Sequence, residues 1–266
     1  PVRFIMHKTY SKTQSGGDPN KDNGDLTDRK TRILFGGNFK TKKADLVTAD
    51  GGFDWGNENI QEQEAMKLIL AQIIMALEIQ AKGGTFICKF YESFTNVTSK
   101  FIGILSSFYD NIYIVKPLMS RSSNSEKYAI CMGFKDPKDK EKKIDILNNI
   151  IDQMDNKQNL VDIFPKFNIS NELKATLIKI NTDIANKQFI TINKMITFIE
   201  KQNYRGDDYT EAREKQIEAT KYWLDKFLPD KKEFNIKRNK MISSITDLLK
   251  KNQESVNKAI KILDFS

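Results

Sequence analysis

The chain has 266 residues, with 43 Lys and Arg against 35 Asp and Glu, a net charge of +8 and 39% hydrophobic content. That is enough apolar material for one large domain or two modest ones. No apolar run reaches the length that crosses a bilayer, and residues 1–10 lack the apolar centre of a signal peptide, so a soluble protein with no membrane partner is expected. His7 is the one histidine, and Cys88 and Cys131 are the two cysteines. That set cannot build a zinc site, so no metal is expected. Both cysteines lie in apolar strand-like runs and read as buried thiols of a reducing compartment. The positive charge fits an anionic partner such as nucleic acid, or only a lysine-rich surface.

Residues 2–6 (VRFIM) read as a short buried strand, and residues 8–25 as a polar loop. Gly16-Gly17 in that loop follows no strand and opens no helix, which makes it a poor phosphate loop. Residues 29–38 are ambiguous. Residues 45–49 form an apolar strand ending at Asp50. Residues 61–82 form a helix that is apolar on more than one stripe, as in a deeply packed element. Gly83-Gly84 reads as its stop. Strand 85–90 carries Lys89 at its end, helix 94–108 follows, and strands 111–116 and 127–134 close the series. Alternating β and α elements predict a parallel, doubly wound α/β sheet with right-handed crossovers. The loop between the last two strands is too short for a crossover, so that pair is expected to be antiparallel.

Residues 136–143 (DPKDKEKK) form a charge run that reads as a boundary. Helical periodicity then covers 144–154, 173–184, 190–201, 209–227 and 236–263. The expected domains are 1–135, a helical extension over 136–230, and a basic helical tail over 231–266. The tail holds nine Lys and Arg against four Asp and Glu, and could hold RNA or simply be a solvated helix packed by its apolar side.

Asp50, Lys89 and Glu126 fall at successive strand ends, where open α/β sheets place their chemistry. An acid, an amine and a second acid at one edge can tune a lysine or hold a hydroxyl for attack. Singly, Asp50 could be a helix cap and Lys89 a snorkelling edge lysine.

ADGGF at residues 49–53, an N-x-Q-E helix start, GGTFICK, the KP-x-x-SR-x-x-NSE-x-Y block at 116–128 and C-x-G at 131–133 together are specific. Over residues 45–135 the chain resembles the FtsJ-like RNA ribose 2′-O-methyltransferases, with weaker similarity to about residue 230. It looks most like the members that methylate the first transcribed nucleotide of capped mRNA. Large cytoplasmic DNA viruses encode divergent members, a source this sequence would suit. The resemblance implies a Rossmann-like sheet that uses S-adenosylmethionine, capped RNA as partner, and a cytoplasmic location, in the host cytoplasm or virion if viral.

The family's Lys-Asp-Lys-Glu tetrad maps its last three members onto Asp50, Lys89 and Glu126 as catalytic residues. Its first Lys and its Gly-rich cofactor loop would lie upstream of Pro1. The chain is therefore expected to begin in mid-domain, with an upstream segment or second chain completing the sheet beside residues 2–6. Asp25 and Asp50 would meet the cofactor, although an Asx turn explains Asp25 equally well. Arg121, Ser122, Asn124 and Ser125 would touch RNA phosphate and sugar. Phe53, like Trp55, would stack on a base or simply pack. The reaction implied is methyl transfer to a ribose 2′-OH of capped mRNA. Alternatives are 2′-O-methylation of ribosomal or transfer RNA, and a silent RNA-binding or scaffold subunit.

Overall fold

The computed structural model describes residues 24–52, 56–57, 60–117, 120–154, 162–201 and 207–227. The readings of residues 2–6, Gly16-Gly17, Phe53, Trp55 and the 231–266 tail fall outside them. The chain divides into two compact units, residues 1–194 and 195–266.

The first unit holds α1 (Arg29–Gly37), β1 (Ala44–Ala49), α2 (Gln61–Ile79), β2 (Gln80–Phe90), α3 (Asn96–Phe108), β3 (Tyr109–Val115), β4 (Lys127–Phe134), α4 (Lys140–Met154) and most of α5 (Asn171–Glu200). The second holds the end of α5 and α6 (Asp207–Phe227). The ambiguous segment 29–38 is a helix. Asp28 caps it by accepting from Lys30 N at 2.9 Å. Its buried residues are Thr31, Arg32 and Gly36, while Ile33 and Leu34 are exposed. The Arg32 guanidinium donates to Leu26 O (2.8 Å), Thr27 O (2.9 Å) and Asn148 Oδ1 (2.7 Å). A polar anchor thus replaces the apolar stripe, and periodicity has nothing to register.

Helix α2 is buried nearly all round, as its sequence requires. It stops at Ile79, three residues before the expected end at Lys82. Gln80 is already extended, and its Oε1 accepts from Tyr109 Oη at 2.5 Å. Gly83 and Gly84 therefore lie inside β2, where the β1 register slips between Ala44 and Leu46. A Cβ at Gly84 would sit 2.9 Å from Ala81 O and from Asp45 O, so only glycine lets the backbones approach this closely.

The sheet order is β1-β2-β4-β3. β1 and β2 are parallel, and β4 is antiparallel to both β2 and β3. The expected parallel winding holds for β1–β2. The last pair is antiparallel, as its short connection demands. β4 fills the place between β2 and β3, so the described sheet is mixed. One face of β2 and β4 presents Phe86, Cys88, Phe90, Ala129 and Cys131 to a core built with α2 and α3. Ile144, Leu147 and Ile151 of α4 belong to that same core. The opposite face carries Lys89 and Tyr128, paired across β2 and β4.

Candidate active site

Ala49 at the end of β1 pairs with Cys88, so Asp50 emerges beside Lys89. β4 runs against β2, which brings its first residues, rather than its last, to this edge. Glu126 precedes Lys127, the residue opposite Phe90. Three chain segments thus deliver their charged ends to one place.

The Lys89 ammonium lies 2.5 Å from Asp50 Oδ1. Lys89 is mostly covered, with 17% of its side chain exposed, against 62% for Asp50. Its Nζ stands 5.2 Å from the centre of the Tyr91 ring. Burial pulls Lys89 toward neutrality, but the hydrogen bond and charge of Asp50, with Tyr91, outweigh it and hold the amine above its ordinary value. Glu126 joins through Tyr128, whose hydroxyl donates to Glu126 Oε1 at 2.9 Å and also feels the charge of Asp50. Burial first, then these two carboxylates, raise Tyr128 and keep it a neutral phenol. Gly51 fixes the turn after Asp50. Its N–H donates to Gln72 Oε1 (2.9 Å), and its carbonyl accepts from Tyr91 Oη (3.4 Å).

A second polar layer supports the edge. Lys116 shares its protons among Ser120 Oγ (3.1 Å), Asn124 O (3.0 Å), Asn124 Oδ1 (2.9 Å) and Glu126 O (3.0 Å). It shapes the loop that positions Glu126. Lys127 is buried, donates to Tyr91 O, and is lowered to about 8, chiefly by burial. Glu62 in the first turn of α2 accepts from Phe94 N (3.1 Å), Thr95 N (2.9 Å) and Thr95 Oγ1 (2.8 Å), fixing the loop after β2.

The structure therefore brings Asp50, Lys89 and Glu126 together. Asp25 is exposed and accepts from Thr27 N (2.9 Å) and Thr27 Oγ1 (2.8 Å), an Asx-turn arrangement. Arg121 and Ser122 are exposed on the 120–126 loop. Asn124 and Ser125 are engaged inside it: Asn124 accepts from Lys116, and Ser125 Oγ donates to Glu92 Oε1 at 2.5 Å. Phe53 lies outside the described residues. Sequence reasoning missed Tyr91 and Tyr128 as site residues. Strand alternation held the signal, because Tyr91 is two residues after Lys89 and Tyr128 two after Glu126, each on the same face as its charged neighbour.

An apolar cavity of about 670 Å³ opens between the far end of α3 and α4, lined by Ile104, Phe108, Leu147 and Phe164. It contains no carboxylate and lies away from this edge, so its size gives it no claim on the chemistry.

An exposed acid, a half-buried amine, a second acid and two phenols at a sheet edge define an enzyme-type site suited to a hydroxyl substrate and a cationic group. Residues 5–134 match the family model described as FtsJ-like methyltransferase, and over this stretch the chain belongs to that family. It is 31% identical over 189 residues to cap-specific mRNA (nucleoside-2′-O-)-methyltransferase 1A of Caenorhabditis briggsae, covering 67% of this chain and 21% of that protein. To the human cap-specific mRNA (nucleoside-2′-O-)-methyltransferase 1 it is 31% identical over 211 residues, covering 76% and 24%. To a second C. briggsae protein, named the inactive cap-specific methyltransferase 1B, it is 28% identical over 215 residues, covering 76% and 25%. The chain spans about a quarter of the length of the curated relatives it matches.

FtsJ-like methyltransferases draw their methyl group from S-adenosylmethionine. The described edge fits the reacting end of that cofactor. A sulfonium is a cation, and Asp50 and Glu126 with the rings of Tyr91 and Tyr128 are the groups that favour one.

Proposed function

We propose that this chain carries the catalytic edge of a ribose 2′-O-methyltransferase acting on capped mRNA, forming the cap-1 structure. The observation that supports this most is the 2.5 Å Lys89–Asp50 pair with the Glu126–Tyr128 pair beside it. The cofactor supplies an activated methyl group and a positive charge. Asp50 and Glu126 provide the negative surface that such a charge requires. Lys89 is an ammonium in the protein alone, and its first task is to hold the ribose hydroxyl by donating to the oxygen. The proton of that hydroxyl passes to the Lys89 nitrogen as one of the lysine's own protons passes to Asp50 Oδ1. Tyr128 and Tyr91 keep the pair in place. Positioning adds to this, since holding the reacting atoms in line removes up to roughly 7–11 kcal/mol of barrier.

The test is transfer of labelled methyl from S-adenosylmethionine by the purified protein to capped RNA. One substrate carries a 2′-OH at the first nucleotide and the other is 2′-deoxy there. Label should enter only the first. Equal labelling of both, or preference for uncapped ribosomal or transfer RNA, would overturn the cap assignment. RNA binding with no transfer at all would mark a silent subunit, the state that the name of one relative describes.

A further inference from the structure

Helix α5 lies beyond the FtsJ-like stretch, yet it is fastened to both loops of the active edge. Ser93, in the loop after β2, donates through Oγ to Asn181 Oδ1 at 2.8 Å, and Asn181 Nδ2 donates back to Ser93 O at 2.9 Å. About two turns further on, Gln188 Nε2 donates to Ser123 O at 3.4 Å, in the middle of the 120–126 loop. Leu177, one turn before Asn181, and Ile184, between Asn181 and Gln188, are buried. Positions 177, 181, 184 and 188 recur at helical spacing, so one stripe of α5 is the docking face. The docked part of the helix lies within residues 1–194, the same compact unit as the sheet.

This docking sets Lys187 at the rim of the loop. Lys187 is exposed and adjoins Gln188, which holds Ser123, and the exposed Arg121 is two residues from Ser123. Among the described residues no carboxylate lies within ion-pair distance of Lys187. Its charge reaches the Lys116 ammonium beneath the loop and, after burial, helps to lower it. Lys187 and Lys116 thus interact across one short loop, which also carries the exposed Arg121 and whose carboxylate, Glu126, joins the active edge. Glu126 offsets Lys187 at Lys116, whereas the exposed Lys187 and Arg121 are left to favour an added anion at the surface.

We propose that Lys187 of α5 and Arg121 of the loop together grip a backbone phosphate of the substrate RNA, on the strand whose ribose lies at the Lys89–Asp50 edge. The proposal rests on the RNA-methylating reading above and adds a binding residue outside the FtsJ-like stretch. The chemistry fits a phosphodiester. A guanidinium fork and an ammonium point charge on either side of a surface loop fix a strand without reading its bases. Lys116 stays below, ordering the loop, and leaves the two exposed cations to the ligand.

The experiment compares wild type, Lys187→Glu and Lys187→Arg in the purified protein. It measures binding of a capped oligoribonucleotide and of the same strand uncapped with a 5′-hydroxyl, across a salt series. Lys187→Glu should weaken both RNAs about tenfold, the scale of one charge-assisted contact. It should also make the salt slope shallower by about 0.7. S-adenosylmethionine affinity and the melting temperature should not move, and Lys187→Arg should behave as wild type. An unchanged slope overturns the grip, and so does a loss confined to capped RNA, which would assign the contact to the cap phosphates. If wild type itself fails to methylate RNA, the functional reading has failed. If wild type methylates and Lys187→Glu matches it, only the grip has failed.

Discussion

Two lysines meet the same sheet edge from opposite faces. Lys89 pairs across the strands with Tyr128, and its neighbour Phe90 pairs with Lys127. Lys89 faces the open side, beside Asp50, and is held above its ordinary pKa. Lys127 faces the core at 1% exposure, donates to the Tyr91 carbonyl and is lowered to about 8. One step in strand register separates an amine paired with a carboxylate from one set in the core. The side chain is the same, and the difference comes from whether a carboxylate or a desolvating core dominates its surroundings.

The largest expected effect is on the open face. Asp50→Asn removes the group that holds Lys89 charged and that is proposed to receive its proton, so methyl transfer should fall about 100- to 1,000-fold. Asp50 is exposed, and an exposed ion pair contributes only about 0–1 kcal/mol, so thermal stability should barely change. A variant that unfolds, or one that keeps full activity, would break the contrast with Lys127.

The core face should answer in stability. Lys127 titrates at about 8 in the folded chain, against 10.5 for a free lysine. Below pH 8 both states hold the proton. Between pH 8 and 10.5 the unfolded chain still holds it and the folded chain has released it. Raising the pH across that window therefore favours folding, by about 3 kcal/mol in total. Measured against Lys127→Met by urea unfolding, wild type should gain stability as pH rises. A difference independent of pH would contradict the buried, lowered amine.

Lys116→Met strips the 120–126 loop of its shared donor. Misplacing Glu126 and Arg121 by an ångström should lower kcat/KM for RNA about 10- to 100-fold, with a smaller loss of cofactor affinity through Glu126. Equal losses in RNA and cofactor affinity would show that the loop's order reaches further than the edge. Smallest is Gly84→Ala, where the new Cβ meets backbone oxygens at 2.9 Å. It should cost about 1–3 kcal/mol of stability by overpacking and leave activity at low temperature unchanged. A melting temperature equal to wild type would show that β1 and β2 can separate at that point.

How much of this was legible depended on the kind of signal. β4 could be read at its observed bounds, Lys127–Phe134, because a polar loop and an apolar run delimit it. The mass of α2 was plain, but its end was not. Gly83-Gly84 has the composition of a helix stop, and only tertiary contact with Asp45 reveals that it serves a strand irregularity. α1 was hidden because its buried anchor is Arg32, a residue whose sequence value is exposure. Asp50, Lys89 and Glu126 were visible as charges closing apolar runs. The phenols beside them were not, since an aromatic residue in a strand is ordinarily core. Ser125 and Asn124 were expected to face RNA, yet the half-buried side chains of Lys116 and Glu92 engage them first.

If Lys89 acts on the substrate hydroxyl, the decisive quantity is the single-turnover rate of Lys89→Ala at saturating S-adenosylmethionine and capped RNA. That rate should lie at least about 100-fold below wild type, with both ligands still binding as wild type does. A variant that methylates the 2′-oxygen at the wild-type rate would contradict it.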